Sequence, residues 1–398
     1  MRKHLLVLFP AALFIGACSP DSPTAVSTVP RPGTAAALDA VKFWEVGATV
    51  SWNDRATALA AVRVIEAGRL YLYLSMAQFR AAEAAQAAAG PHPPISAAIA
   101  GASAVVLRSF FPLDVASIEA AVDDQQAADP WPGAKHADFA AGEAIGRAVA
   151  VRVLAFAQGD RVGLTDPLLP PYGPRPTGPG NWVYNGGPLA RGNLGARPIF
   201  LTTGSQLRPP PPPAFGSPAF TAALAEVRQI SLTRNAEQIA IANYWNVNHA
   251  PRSTAALMGI ARELIVSHHR SDMEAARIMF TATAALFDAN LSCFDAKYFY
   301  WYVRPPQADP TLVTLFATPP HPSYPSAHSC GAGALTEVLA QSFPSEADRL
   351  HAVALESSLS RLYAGIHYRF DMEAGLAIGR AAAALALAAD LDQVAPLP

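Results

Sequence analysis

The sequence predicts an all-α fold, one or two helical bundles interrupted by a single irregular segment. Apolar residues recur at three- and four-residue spacing through most of the chain, no run alternates with the period of two expected of a half-buried strand, and alanine-rich stretches are joined by short links. With 398 residues, 51% of them hydrophobic and 15% charged, there is ample material for a core. A formal net charge of −2 offers no electrostatic footing for nucleic acid or an anionic membrane surface.

The first helical stretch runs from Phe43 to about Ala89, opened by Trp52-Asn53-Asp54, and others fall near 95–108, 115–127 and 137–158. Residues 160–216 are dense in glycine and proline and end in the prolines 209–213. That segment cannot be regular helix; it is expected to wrap the surface or line the mouth of a site. Helical spacing resumes over Phe220–Thr233, Glu237–Tyr244, Ser253–His268, Ser271–Leu286, Gly331–Ser342 and Glu346–Leu362, with no internal repeat. The expected organisation is a signal segment (1–17), a flexible tether (18–38) and one helical domain (39–398). Within that domain, helices at 39–159 and 217–398 flank the irregular 160–216.

The start of the chain reads as an export signal. Arg2, Lys3 and His4 precede the apolar run Leu5–Ile15, and Ile15-Gly16-Ala17-Cys18 has the form of a lipobox with Cys18 as the lipidated residue. The alternative is an ordinary secretory signal with an incidental cysteine. With Ser19 following, the expected location is a lipid anchor on the outer membrane facing the periplasm in a Gram-negative host, or the cell surface otherwise. Beyond residue 18 the best spanning candidate, Met372–Ala389, carries Glu373 and Arg380 and is not expected to cross a bilayer. Cys293 and Cys330 remain, as a disulfide in an oxidising compartment or as two buried thiols.

Three segments carry the chemistry. In Lys297-Tyr-Phe-Tyr-Trp-Tyr-Val-Arg304-Pro305 the two cations are seven apart, which on one helix would place them two turns apart on a shared face. Only Lys3, Lys42, Lys135 and Lys297 are lysine among 29 basic residues, so a lysine at this position is not compositional noise. In His321-Pro-Ser-Tyr-Pro-Ser326-Ala327-His328, prolines forbid helix before residue 325, so Ser326 falls at an N-cap with the amides of Ala327 and His328 free. In Ser360-Arg361-Leu-Tyr-Ala-Gly365-Ile-His367-Tyr-Arg-Phe-Asp371, the spacing would put Asp371 one helical turn from His367, where its carboxylate can accept the imidazole Nδ1–H. Gly365 is expected to bend the chain so that Arg361 and His367 point one way. Each segment alone could be structural: a snorkelling cation pair, a capped helix start, a buried His–Asp pair. Together they supply the density of donors that a tetrahedral oxyanion needs.

These motifs resemble the superfamily that unites vanadium-dependent haloperoxidases with bacterial acid phosphatases and type 2 phosphatidic acid phosphatases. Its signature is K-x6-R-P, P-S-G-H and S-R-x5-H-x3-D, and this chain departs from it only at Ala327, where the family has glycine. His367-Tyr-Arg-Phe-Asp371 and the histidine at 321 resemble the haloperoxidase branch. Tyr244-Trp245 through Ala261-Arg262 resembles its helix leading to the site, with Asn248 where an aspartate would pair with an arginine. The resemblance implies paired helical bundles and an oxyanion held by Lys297, Arg304, Ser326, Ala327, His328, Arg361 and His367. It implies His367 as vanadium ligand or phosphorus nucleophile, oriented by Asp371, and His328 as acid/base. Lys297 would polarise bound peroxide, and His321 is a halide-site candidate. The implied activity is vanadate-dependent oxidation of halide, bromide or iodide, by hydrogen peroxide. The alternatives are cofactor-free hydrolysis of a phosphomonoester through a phosphohistidine, and a lipoprotein that binds an oxyanion without catalysis.

Overall fold

The computed structural model describes residues 47–63, 66–89, 93–127, 135–173, 175–184, 186, 188–246 and 252–397. The signal segment, Cys18, the tether and Asn248 lie outside the described residues.

The predicted 43–89 stretch is two helices, α1 (Ala48–Val62) and α2 (Ala67–Gln86). Trp52 and Asn53 do not open α1 but sit inside it, fully buried, because both find side-chain partners in the core: Trp52 Nε1 donates to Gln125 Oε1 and Asn53 Nδ2 to Gln78 Oε1, each at 2.9 Å. α3 (Ile95–Phe110), α4 (Val115–Ala127) and α5 (Lys135–Gln158) follow close to expectation. α5 lies against α3 at backbone contact. A Cβ at Gly146 would stand 1.9 Å from the Ala98 carbonyl oxygen, so any larger residue would push the helices apart.

α6 (Pro218–Thr233) is capped by Ser217, α7 (Ala236–Tyr244) by an Asn235/Gln238 capping box, and α8 (Arg252–Ser267) follows. α9 (Asp272–Tyr300) opens on a Ser271/Glu274 capping box and runs far past the predicted end at Leu286. Its second half is buried on every face, so the one-sided apolar pattern that marks a surface helix disappears there while the helix continues. A short α10 (Pro305–Ala308) leads to α11 (Ala327–Ser342), α12 (Ala347–Tyr363) and α13 (Arg369–Ala388). Among the described residues there is no strand, only an isolated antiparallel bridge between Asn181 and Tyr302.

One apolar core runs from α1–α5 through α9 into α11–α13. α9 packs on α2 and on α11, and α11 packs on α13. Gly375 and Gly379 let α13 lie directly on α11; a Cβ at Gly375 would meet the Ser326 carbonyl oxygen at 2.6 Å. Among the described residues no helix is long and apolar enough to cross a membrane.

The irregular segment is held by buried side chains of the helices. Asp288, inside α9, accepts the amides of Ile199, Phe200 and Leu201 at 2.9, 2.6 and 3.0 Å. Asp160 accepts from Arg69 and Tyr73, and Asp295 from Tyr172 and Arg208. The proline run has carbonyls but no N–H groups to pair among themselves. Tyr300, Tyr324 and Tyr302 donate their hydroxyls to the carbonyls of Pro209, Pro210 and Pro213 at 2.5, 2.7 and 2.6 Å.

Candidate oxyanion site

The three sequence segments converge where α9 ends, α11 begins and α12 turns into α13. How they converge differs from the spacing argument at two points. Lys297 is in the last turn of α9, but Arg304 is not on that helix. Trp301 takes a left-handed conformation (φ 51°), Tyr302 bridges to Asn181, and Arg304 precedes Pro305 of α10. Likewise His367 and Asp371 are not two positions of one helix. α12 ends at Tyr363, and Gly365 at φ 78° closes its C-terminus: the Gly365 amide donates to Leu362 O and the Ile366 amide to Arg361 O. His367 therefore lies in the link, and Asp371 is in the first turn of α13. Its Oδ2 reaches back to accept from the Tyr368 amide at 3.1 Å and from His367 Nδ1 at 2.7 Å. The expected contact is present, made by a helix N-terminus rather than along a helix face.

Lys297, Arg304 and Arg361 are 0%, 0% and 2% exposed. Lys297 Nζ donates to the carbonyls of Pro322 and Ser323 at 3.0 and 2.8 Å. Arg304 Nε donates to His321 O and Nη1 to Ile366 O, at 3.1 and 2.8 Å. Arg361 Nη2 donates to Ala242 O at 3.1 Å, its Nε to Ser360 Oγ at 2.9 Å, and its guanidinium lies over the Phe316 ring. None of the three forms an ion pair with a carboxylate among the described residues. The one buried carboxylate nearby, Asp371, is bound by Ser323 Oγ (2.6 Å), His367 and the Tyr368 amide. Three buried cations against one carboxylate leave a net positive charge of about two in low dielectric, which costs several kcal/mol per unpaired ion. A tetrahedral dianion offsets that cost, so the residues present fit vanadate or phosphate.

The imidazoles are neutral and oriented. Burial, then Arg304 and Lys297, hold His367 well below the usual histidine range, while burial raises Asp371 to about 6. At neutral pH the pair is therefore a neutral ring donating Nδ1–H to a carboxylate, with the Nε2 lone pair facing Arg304 Nη1 at 2.9 Å. His321 Nδ1 lies 3.0 Å from both Arg304 Nη2, which can only donate, and the Pro322 carbonyl, which can only accept, so the ring is held in place by two contacts of opposite demand. His328 is held by Nε2–H donating to Trp245 O at 2.9 Å, which leaves its Nδ1 lone pair free. Burial and Arg361 hold its pKa well below the usual value. Ser326 caps α11, accepting from the Ser329 amide at 3.4 Å, and the first-turn amides of Ala327 and His328 have no helical acceptor.

Beside this cluster opens a cleft of about 530 Å³, onto which His321, Ala327, His328, Arg361 and His367 face. Cys293 and Cys330 are free, buried thiols beneath the Pro325 turn, and the disulfide alternative is not formed. Among the described residues no group of three or more His, Cys, Asp or Glu could cage a metal cation. A metal oxyanion would have His367 as its protein nitrogen. Side-chain reading missed Ser323, whose hydroxyl braces Asp371, and the carbonyls of Trp245, Ala242, Pro322, Ser323 and Ile366, because a main-chain acceptor leaves no trace in residue type.

Burial lowers Lys297 to about 8. Its charge is therefore complete below that pH and lost above it, and an anion that needs the charge must take up a proton to bind there. Sulfate affinity, measured by calorimetry, is expected to be level below about pH 8 and to fall up to about tenfold per unit beyond it. In Lys297→Gln that break is expected to vanish. A wild-type profile level to about pH 10 would contradict the assignment of Lys297 as an anion-facing cation.

A cluster of buried cations around an oriented imidazole, beside a helix N-terminus, defines a candidate oxyanion site in an all-helical fold. Residues 278–394, which contain all three motifs, match the family model described as the PAP2 superfamily. No curated protein sequence matches the chain. A solved structure titled the first bacterial vanadium-dependent iodoperoxidase superposes with a TM-score of 0.70 at 24% identity, covering 86% of this chain and 95% of that one. An apo-type bacterial vanadium-dependent chloroperoxidase gives 0.61 at 14% identity over 80% of this chain and 92% of the other. A holo-type one gives 0.60 at 16% over 86% and 91%. The resemblance carried by the motifs stands at the level of a match: residues 278–394 match the PAP2 superfamily model, and the all-α fold is shared with the solved vanadium haloperoxidase structures.

Proposed function

We propose that the chain is a vanadate-dependent haloperoxidase, oxidising iodide or bromide with hydrogen peroxide: H2O2 + X⁻ + H⁺ → HOX + H2O. One observation carries the reading. Lys297, Arg304 and Arg361 are buried without a carboxylate partner around a neutral His367, whose Nε2 lone pair is turned inward by Asp371. Lys297, Arg304, Arg361, Ser326 and the Ala327 amide would hold vanadate's oxygens, and His367 Nε2 its vanadium. When bound, vanadate supplies Lewis-acid activation of peroxide at a constant oxidation state. His328, neutral at physiological pH and presenting Nδ1, takes the proton of the incoming peroxide and returns it to the departing water. Lys297 Nζ would supply the positive charge that draws electron density from a peroxide oxygen. His321, on the cleft wall, is the halide-site candidate.

Phosphomonoester hydrolysis is the second reading, supported by the PAP2 match. The same site would then stabilise a five-coordinate phosphorus attacked by His367 Nε2, with His328 protonating the leaving alkoxide. The solved structures that share the fold are titled vanadium-dependent iodo- and chloroperoxidases, which supports the first reading. The location is proposed as extracytoplasmic, on a lipid carried by Cys18, from the lipobox alone.

The full chain loaded with vanadate is expected to form triiodide and to brominate a phenolic dye with peroxide, and to lose both on phosphate addition. Hydrolysis of a nitrophenyl phosphate without halide oxidation would replace the first reading by the second. Vanadate binding with neither activity would leave an oxyanion-binding lipoprotein.

A further inference from the structure

The cleft is far larger than the proposed small reactants require. A tetrahedral oxyanion, a peroxide and a halide together occupy roughly 150 Å³ on the scale of about 30 Å³ per water. The cleft holds about 530 Å³. Much of its lining is apolar, with Val162 and Leu189 from the irregular segment, Leu257 from α8, and Leu286 and Phe294 from α9, alongside the polar Glu66, Arg191 and Asn290. Phe294 is fixed there, its ring edge-on to His321 at 5.3 Å and its face against Gly192.

Gly331 adds an independent sign. It is in the interior of α11 and lines the cleft. Unlike Gly375 and Gly379, it is not demanded by packing. A Cβ there would make only ordinary contacts, with Asn290 Nδ2 at 3.6 Å and Leu286 at 3.7 Å. Glycine inside a helix is costly relative to alanine, so what its missing side chain preserves here is space in the cleft.

We infer that the cleft binds the apolar aryl body of a second, organic substrate beside the oxyanion site. An electron-rich phenol would be there to exchange a ring hydrogen for halogen (ArH + HOX → ArX + H2O), or an aryl phosphate to be hydrolysed to the phenol and phosphate with uptake of one water. The inference rests on the proposed function for its chemistry but not for its binding. Volume and apolar lining of this kind are those of small-molecule sites. A ring between Phe294, Leu257 and Leu286 would lie next to the groups that His328 and His367 serve, so a halogen formed there meets the ring before it meets water.

The test is binding of 2-naphthol to the full chain without vanadate, peroxide or halide, followed by ligand-observed NMR and by naphthol fluorescence. A saturable Kd of about 0.1–1 mM is expected for the wild type. Gly331→Leu, which fills the cleft, is expected to raise it at least about tenfold, and Leu189→Asp, on the non-helical wall, to do the same if the leucine variant misfolds. No saturable wild-type binding, or equal binding by folded variants, would overturn the inference. Iodide oxidation in vanadate-loaded wild type is read separately: naphthol binding without triiodide retires the haloperoxidase reading and leaves the aryl site, whereas triiodide without naphthol binding does the reverse. Binding of 2-naphthyl phosphate tighter than naphthol and displaced by sulfate would identify the ester as the aryl source; equal binding of the two, indifferent to sulfate, would identify the phenol.

Discussion

His367→Ala is expected to lower vanadate-dependent iodide oxidation by about 10³-fold or more while the chain stays folded. The other two site histidines are held by different contacts: His328 Nε2 donates to the Trp245 carbonyl, and His321 Nδ1 lies 3.0 Å from both Arg304 Nη2 and the Pro322 carbonyl. The fold should tolerate the change, since His367 lies in the link after α12 and Asp371 keeps Ser323 Oγ and the Tyr368 amide as donors. The cations remain, so sulfate binding by calorimetry should persist within a few-fold. A variant that oxidises iodide at the wild-type rate would remove His367 from the site. Loss of sulfate binding alongside activity would mean that the substitution had collapsed the cation cluster instead.

Asp371→Asn is expected to act through the ring it orients. An amide cannot accept the His367 Nδ1–H, the Ser323 hydroxyl and the Tyr368 N–H as one carboxylate oxygen does, and its NH2 favours the tautomer in which Nδ1 carries the lone pair. Nε2 would then be protonated, and vanadate affinity, read by titration, should fall about 10–100-fold. Leaving a buried donor unmatched should cost about 1–3 kcal/mol of stability, seen as a lower midpoint in urea. A pH signature separates this from general damage. Folded Asp371 titrates near 6 against 3.8 for an ordinary aspartate, so folding takes up a proton between those values and stability from this group falls as pH rises through that window. The variant should lose that share of the slope and keep the share due to Asp288, which burial also raises to about 6. Unchanged vanadate affinity would show that the tautomer is set elsewhere.

Which residues gather at the candidate site could be read from the motifs, while the geometry that brings them together could not. Lys297 with Arg304, and His367 with Asp371, carry spacings that suggest one helix face. The chain instead uses a left-handed Trp301 and the Gly365 turn to bring them together. Gly365 could be read as a break because glycine tolerates that backbone. Trp301 could not, since nothing in residue type marks a tryptophan for positive φ; the bridge between Tyr302 and Asn181 that follows it is a tertiary contact. Helix positions came through in α4, where one face is wet, and failed in the second half of α9, where burial on all sides erases periodicity. The irregular segment was recognisable from its prolines, but Asp288, which fastens it from inside a helix, looks like any other acidic residue until the amides of 199–201 are placed around it.

The tyrosines that clamp the proline run have a chemical consequence beyond holding it. A phenol ring is attacked by electrophilic halogen fastest as its phenolate, and these rings lie against the motifs of a protein proposed to generate such a species. Burial pushes the Tyr302 and Tyr324 hydroxyls well above the usual tyrosine range, and each proton is engaged by a proline carbonyl. If the proposed activity holds, the proline run would thereby keep its own clasps in their least reactive form.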